Sequence, residues 1–394
     1  MPAAARTDRF VAQEHPPELQ VTRARGSYLY DANGRKYIDF LMGWCVGNLG
    51  WGNPEIEARA RRFRGPDYIY PGYFYRPWRE LAELLVSIAP GRMKKCLRAT
   101  GGSESVDIAL QAALVHSVRR NFVSLEDSYH GNTIGALSVG ASETREKCPN
   151  LLEGCAKVPA RFDDRTLGSI ETRLKRRDVA AFIMEPIVMN LGVLIPPPFF
   201  MTRLQGLCRR YGTLLIMDEV ATGFGRTGRI FATEHYGIEP DIVCFAKAVT
   251  GGVGGMGGVL VTADVASSME ENGSFYSTYG WHPRSVDVAI ATVRYMVRHK
   301  SRLLGHVEAM SEYFAERLGK IDFSDYDEPP AIRIQGLAIG IDFHDEDAAD
   351  EVETSCRRAG LLVSTEGTTV LLLPALNVAR SVASRALDIF AECV

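Results

Sequence analysis

From residue 95 onward, short β-branched or apolar runs alternate with longer amphipathic stretches, and no other feature of this chain restricts its fold so strongly. The rhythm is that of βα units around a largely parallel sheet, because two parallel strands need a crossover of a dozen or more residues between them. It predicts strands at Lys95–Ala99, Phe122–Leu125, Ala180–Glu185, Leu214–Met217, Ile242–Ala246 and Gly258–Val261. Between them, Ser103–Val118 puts Val106, Leu110, Ala113 and Leu114 on one helical stripe, and Phe200–Tyr211 does the same with Leu204, Leu207 and Tyr211. Such helices cover the faces of a sheet.

The flanks follow a different grammar. Tyr28–Tyr30 and Tyr37–Phe40 read as short strands around Asn33-Gly34, a strong hairpin turn signal. After Pro283 come two long helical patterns, Ser285–His299 and Leu303–Gly319, then an apolar run Ile332–Asp342, a helix over Ala348–Ala359 and a strand over Thr369–Leu373. That is α+β order. The expectation is therefore three parts: residues 1–52, an amino-terminal segment packing with the smaller domain; 53–283, the large domain; and 284–394, the small carboxyl-terminal domain. The boundary is expected near Trp281–Arg284.

Composition removes several function classes. With 45 Lys+Arg against 48 Asp+Glu in 394 residues, the net charge of −3 leaves no electrostatic footprint for nucleic acid or an anionic membrane. No uncharged apolar run reaches the ~20 residues of a membrane span, and Met1–Phe10 lacks the apolar centre of a secretory signal. Eight scattered cysteines form no C-x-x-C pair and no Cys/His cluster at zinc spacing, so neither a disulfide framework nor a metal is expected, and the expected location is cytoplasmic.

In open parallel sheets ligands gather beyond the carboxyl ends of the strands, so the residues that follow each apolar run carry the information. Leu214–Met217 ends in Asp218-Glu219, Ile242–Ala246 in Lys247, Lys95–Ala99 in Thr100-Gly-Gly-Ser-Glu104, and Phe122–Leu125 leads to Tyr129-His-Gly131. A lysine at a strand end is commonly a surface group with its stem along apolar neighbours, and an aspartate there is commonly a cap. Together, however, Lys247 and Asp218 lie about one crossover unit apart, and an amine plus a carboxylate that holds a protonated ring nitrogen is the pair that pyridoxal phosphate (PLP) chemistry requires. Gly101-Gly102-Ser103 fits either an ordinary helix start or an anion site of backbone N–H groups. Gly223-Phe-Gly225-Arg-Thr-Gly228 and Gly252-Val-Gly254-Gly-Met-Gly257 both match G-x-G-x-x-G, but neither stands directly between a strand and a helix, so these glycines read as turn and close-approach positions.

Over nearly its whole length the chain resembles the class III PLP-dependent aminotransferases, of the ornithine, ω-amino-acid and glutamate-1-semialdehyde aminomutase type. The resemblance rests on Tyr28-Leu-Tyr-Asp-Ala-Asn-Gly34, Gly43-Trp44, Asn48-Leu-Gly50, Gly101-Gly-Ser-Glu104, Tyr129-His-Gly131, Glu185-Pro186, Asp218-Glu-Val220, Thr222-Gly223, Lys247, Thr278-Tyr-Gly280 and His282-Pro283, in that order. It implies PLP fold type I: an α/β architecture, a mostly parallel sheet flanked by helices, with a second, smaller α+β domain. It further implies Lys247 as the Schiff-base lysine, Asp218 as the ring-nitrogen partner, Tyr129 as the stacking aromatic and Val220 on the opposite ring face. Gly102 and Ser103 would hold the phosphate, joined by Thr278 from the neighbouring subunit of a homodimer with shared active sites.

The sequence departs from the family around the substrate. Ala221 replaces a frequent glutamine, His130-Gly131-Asn132 replaces His-Gly-Arg, and Asn190 and Leu371 stand where ornithine-type members place a glutamate–arginine pair. Asn190 and Leu371 cannot form an ion pair, so the expected pocket receives an uncharged group, walled by Trp44 and by Tyr73 or Tyr75, with Arg23, Arg25 or Arg76 as candidates for any substrate carboxylate. The expected reaction moves an amino group between an amine or amino acid and a keto acid or aldehyde. The alternatives on the same site are an aminomutase, decarboxylase or racemase, because the outcome follows from which Cα bond is held perpendicular to the ring. Further off stand a non-enzymatic binding module and a nucleotide-dependent oxidoreductase.

Overall fold

The computed structural model describes residues 19–141, 143–273 and 275–394. Residues 1–18, and with them the reading of the extreme amino terminus, lie outside the described residues.

Among the described residues, fifteen strands form three sheets. The amino-terminal strands are β1 (Val21–Arg25), β2 (Tyr28–Asp31) and β3 (Lys36–Asp39). The central ones are β4 (Lys95–Ala99), β5 (Asn121–Leu125), β6 (Cys155–Val158), β7 (Val179–Met184), β8 (Leu214–Asp218), β9 (Ile242–Phe245) and β10 (Gly257–Val261). The last are β11 (Ala331–Gln335), β12 (Ala338–Asp342), β13 (Leu361–Leu362), β14 (Ser364–Glu366) and β15 (Thr369–Leu372).

The seven central strands lie in the order β4-β10-β9-β8-β7-β5-β6. From β9 to β6 every pairing is parallel, and only β10 runs against both its neighbours. A strand buried on both faces must place apolar groups on alternate sides. Ala181 and Ile183 of β7, Leu214 and Ile216 of β8, and Ile242 and Cys244 of β9 enter one core with the helices Gly102–Ser117 and Ala263–Asn272. The intervening Phe182, Met184, Leu215, Met217, Val243 and Phe245 enter the other, beneath helices Asp164–Leu174, Pro198–Tyr211 and Pro283–Arg298. Each large side chain so buried contributes about 1.5–3 kcal/mol, which fixes the register of the strands and hence the places where they end.

All six strands expected after residue 95 form. The edge strand β6 was not anticipated, because Cys-Ala-Lys-Val has no apolar run; the Lys157 amine in it is satisfied by the Ser124 hydroxyl at 2.9 Å and the Gly140 carbonyl at 2.8 Å. The run Ile332–Asp342 is a hairpin rather than one strand, since Gly336 turns at φ +61° between β11 and β12.

At the amino terminus, the Asp31 carboxylate accepts the N–H groups of Asn33 (2.9 Å) and Arg35 (2.8 Å) and closes the β2–β3 hairpin around Gly34. β3 then pairs in parallel with β13, Ile38 opposite Leu361, so the first described strands share a sheet with a strand near the other end of the chain. The third sheet has the order β11-β12-β15-β14. Helix Pro283–Arg298 packs on helices Pro54–Arg62 and Arg76–Ile88, tied by Arg59 to Asp287 and Arg294 to Glu80. The acidic run after His344 is a helix start: Asp345 caps Glu346–Ala359 by accepting the Ala348 N–H at 2.8 Å.

Candidate active site

The carboxyl ends of β5, β7, β8 and β9, with the loop after β4, open onto one cavity of about 1020 Å³. Its lining includes Gly102, Ser103, Tyr129, Glu185, Asp218 and Lys247, each at or just past a strand end. This is the crevice in which open α/β sheets hold ligands.

Lys247 follows β9 through the extended Ala246 and itself adopts φ +47°, at the start of a single 3-10 turn, Lys247–Thr250. A left-handed conformation costs a non-glycine residue about 1–2 kcal/mol, and such strain concentrates at functional sites. The amine lies 5.2 Å from the centre of the Trp44 ring. Trp44 is placed with equal strain, for Met42, Gly43, Trp44 and Cys45 all have positive φ, one turn of left-handed helix. Asp39 holds that turn: Oδ1 accepts the N–H groups of Leu41 and Met42, and Oδ2 accepts the Trp51 indole at 2.7 Å.

Asp218 ends β8, beside Cys244 of β9 and therefore one strand from Lys247. Its Oδ2 receives a hydrogen bond from His130 Nδ1 at 2.8 Å, and its Oδ1 accepts the Val220 N–H at 3.1 Å. His130 is in turn 3.3 Å from the Ser128 hydroxyl, which donates to the Leu125 carbonyl. Glu185 is buried next to this pair. Burial, then the Asp218 carboxylate, pushes it well above the usual carboxylate range, against the pull of the Lys247 ammonium and the Met189 N–H. Glu185 is thus the carboxyl of the group whose charged form burial disfavours most. Glu219, one residue on, faces away and is clamped by the hydroxyls of Thr222 and Thr233 and the N–H groups of Ala232 and Thr233.

The part of the lining at Gly102 and Ser103 suits an anion. Helix Gly102–Ser117 begins at Gly101 without a side-chain cap, so its first N–H groups are free for a ligand at the positive end of the helix dipole. Two glycines there are dictated by space. A Cβ on Gly102 would stand 2.9 Å from Val220 Cγ1, and one on Gly131, at φ +126°, 2.4 Å from Ser103 Oγ. A phosphate-bearing ring with a basic nitrogen fits this set of groups: the N–H donors of a helix start, an oriented carboxylate, Tyr129 and Val220 in the walls, and an amine within the same space.

Trp44, Asn190 and Ala221 also line the cavity, and Asn190 donates its amide to the Asp127 carbonyl at 2.7 Å. Leu371 requires correction. On β15 its side chain is fully buried with Leu373 in an apolar cluster that includes Cys45 and Met189 and backs onto Ala221 and Trp44 of the lining, while Val370 and Leu372 point into the main core. Strand alternation therefore removes it from the pocket wall. The wall position on this sheet belongs to Glu366 of β14. Tyr73 is 68% exposed and packs on Tyr70, and Tyr75 meets Trp78, so neither lines the cavity; nor do Arg23, Arg25 or Arg76, whereas Arg145 does. Thr278 is exposed and outside the cavity of its own chain. Both G-x-G-x-x-G runs are turns. The first surrounds the buried Arg226, whose guanidinium donates to the carbonyls of Leu337 and Pro374 and to Asn48 Oδ1.

The residues that sequence reasoning passed over are His130, Glu185, Arg145 and Glu366. His130 and Glu185 stood at strand ends within quoted motifs and carried that much signal. Glu366 carried none, because β14 is too short to be read from its pattern.

Residues 10–394 match the family model for Aminotransferase class-III. Among solved structures, the taurine:2-oxoglutarate aminotransferase of Bifidobacterium kashiwanohense, in complex with PLP and glutamate, is 25% identical, with 97% of this chain and 94% of that one covered and a TM-score of 0.88. A PLP-bound amine transaminase from an uncultivated Pseudomonas species is 27% identical over 100% of both chains, TM-score 0.87. The ornithine aminotransferase of Toxoplasma gondii is 25% identical, covering 98% and 92%, TM-score 0.87. These matches favour transamination over the other PLP reactions, over a binding module and over a nucleotide-dependent oxidoreductase. With a family match spanning both the large sheet and the cavity at its edge, the chain belongs to the class III aminotransferases, PLP-dependent transaminases of fold type I.

Proposed function

We propose that Lys247 and Asp218 carry the transamination, and the observation behind this is their position on adjacent parallel strands facing one cavity. PLP, when bound, supplies an aldehyde carbon that joins to amines and a ring that accepts electrons from Cα. Lys247 Nζ would hold that aldehyde, and the same amine is the group placed to take a proton from the substrate and give it back. Asp218, oriented by His130, would hold the protonated ring nitrogen. Tyr129 and Val220 would hold the ring, and Gly102, Ser103 and the Thr278 of a second copy would hold the phosphate.

Borohydride reduction followed by peptide mapping should place a pyridoxyl group on Lys247; a label on another lysine overturns the assignment. Asp218→Asn should keep the cofactor and slow proton abstraction by orders of magnitude. Near-normal turnover would make Asp218 structural only.

The same reading gives a homodimer. Tyr68, Tyr70, Tyr73, Phe74, Tyr276 and Tyr279 are exposed large apolar residues from two segments, with the Tyr68 and Tyr279 rings 6.0 Å apart, and Thr278 lies among them. Apolar surface of that kind suits a partner. The division at 52/53 and 283/284 is retained as a proposal, supported by the β3–β13 pairing, with helix Pro283–Arg298 resting on the large domain. Eight free thiols fit a cytoplasmic location.

A further inference from the structure

We propose that Glu366 determines substrate specificity by pairing with a second ammonium group on the amine donor, so that the substrate class is diamines rather than donors with a carboxylate at that end. The proposal rests on Lys247 being the reacting amine's attachment point. Glu366 lies on β14, in the wall of the cavity that holds Lys247, and is close enough for the two charges to act on each other. It also lies within electrostatic reach of Tyr129. Among the described residues its carboxyl has no hydrogen bond and no ion pair, unlike the other carboxyls of the lining that the fold secures, such as Asp218 and Glu185. A half-buried carboxyl without a partner is unfavourable until an occupant supplies a cation or donors.

The surroundings agree. Five carboxyl groups line the cavity, Asp127, Glu146, Glu185, Asp218 and Glu366, against two cations, Arg145 and Lys247. Leu371, the one side chain of this sheet that sequence placed in the pocket, is buried in the apolar cluster behind Trp44 and Ala221, and β15 (Thr369–Leu372) carries no cationic side chain to oppose Glu366. A substrate carboxylate brought to this wall meets like charge, while an ammonium at the end of an alkyl chain is attracted and desolvated beside it. The reacting amine goes to the Lys247 end, the spare amine to Glu366.

The test compares cadaverine with pentylamine, which differ in the distal ammonium, as donors to the holoenzyme. In the wild type kcat/KM should favour cadaverine by about tenfold or more, ~1.4 kcal/mol. Glu366→Gln, which keeps the volume, should erase that ratio, with the greater loss falling on cadaverine. Calorimetry on the aminated form of the cofactor-loaded protein should show cadaverine binding weakened by the same factor. A wild type that prefers pentylamine, or a variant in which both donors change together in turnover and in binding, overturns the proposal. If Lys247 takes the borohydride label and both amines convert the cofactor without a Glu366-dependent preference, only the specificity assignment falls. If neither amine converts it and the label is elsewhere, the transaminase assignment of Lys247 falls with it.

Discussion

At the scale of single residues, the site separates groups that are fixed from one that is not. Asp218 has two hydrogen-bond partners and Glu185 accepts the Met189 N–H, so the fold holds both carboxyls in place. Glu366 differs: burial raises it to about 7, against the pull of the Lys247 ammonium, which places its titration in the working range. Because it is an acid, its charge is absent below that pH and present above it. The ratio of kcat/KM for cadaverine over pentylamine is therefore expected to rise as pH passes upward through about 7, and to be flat in Glu366→Gln. A ratio that falls with pH, or one equally steep in the variant, would assign the titration to another group. That Lys247, Asp218 and Tyr129 would meet at one sheet edge was legible because each follows an apolar run that can be seen, and all three line the cavity. The sequence hid Glu366 because a three-residue strand inside a hairpin has no periodicity, and it misplaced Leu371 because the side a residue faces depends on register against β12, a long-range fact.

Among elements, the long ones were legible and the strained ones were not. The central strands announce themselves through runs that alternate between two cores, and helix Pro198–Tyr211 through its stripe and its left-handed Gly212. The left-handed turn Met42–Cys45 has no such signal, since three of its four residues are not glycine and propensity argues against it. It forms because Asp39 supplies acceptors for its N–H groups and because Trp51 packs beneath Gly43. Gly43 adopts φ +59°, and a Cβ there would come within 3.2 Å of the Trp51 ring. Gly43→Ala should accordingly lower unfolding free energy by about 1–2 kcal/mol, measurable by urea denaturation. It should also disturb amine turnover, because Trp44 is carried by the same turn. Unchanged stability would mean that the turn relaxes to an ordinary conformation at no cost.

At the scale of the molecule, distant stretches of chain meet at one edge of the sheet. Arg226 shows how: its buried guanidinium takes acceptors from Asn48, Leu337 and Pro374, joining the amino-terminal segment and the last strands to the middle of the chain. Even so, one chain leaves Thr278 exposed among aromatic residues and outside its own cavity. If a second copy brings its Thr278 to the phosphate end of this cavity, each site needs Lys247 from one chain and Thr278 from the other. Mixing Lys247→Ala chains with Thr278→Ala chains then has an arithmetic consequence. In a heterodimer one site combines both lesions and the other combines none. Random exchange makes about half the dimers mixed, each with one intact site of two, so activity should recover to about a quarter of wild type. Sites contained within single chains would give only the Thr278→Ala residual, diluted by half. Subunit exchange followed independently, by mass or by labelled chains, makes the two outcomes distinct: exchange without recovery means that Thr278 serves its own chain or none.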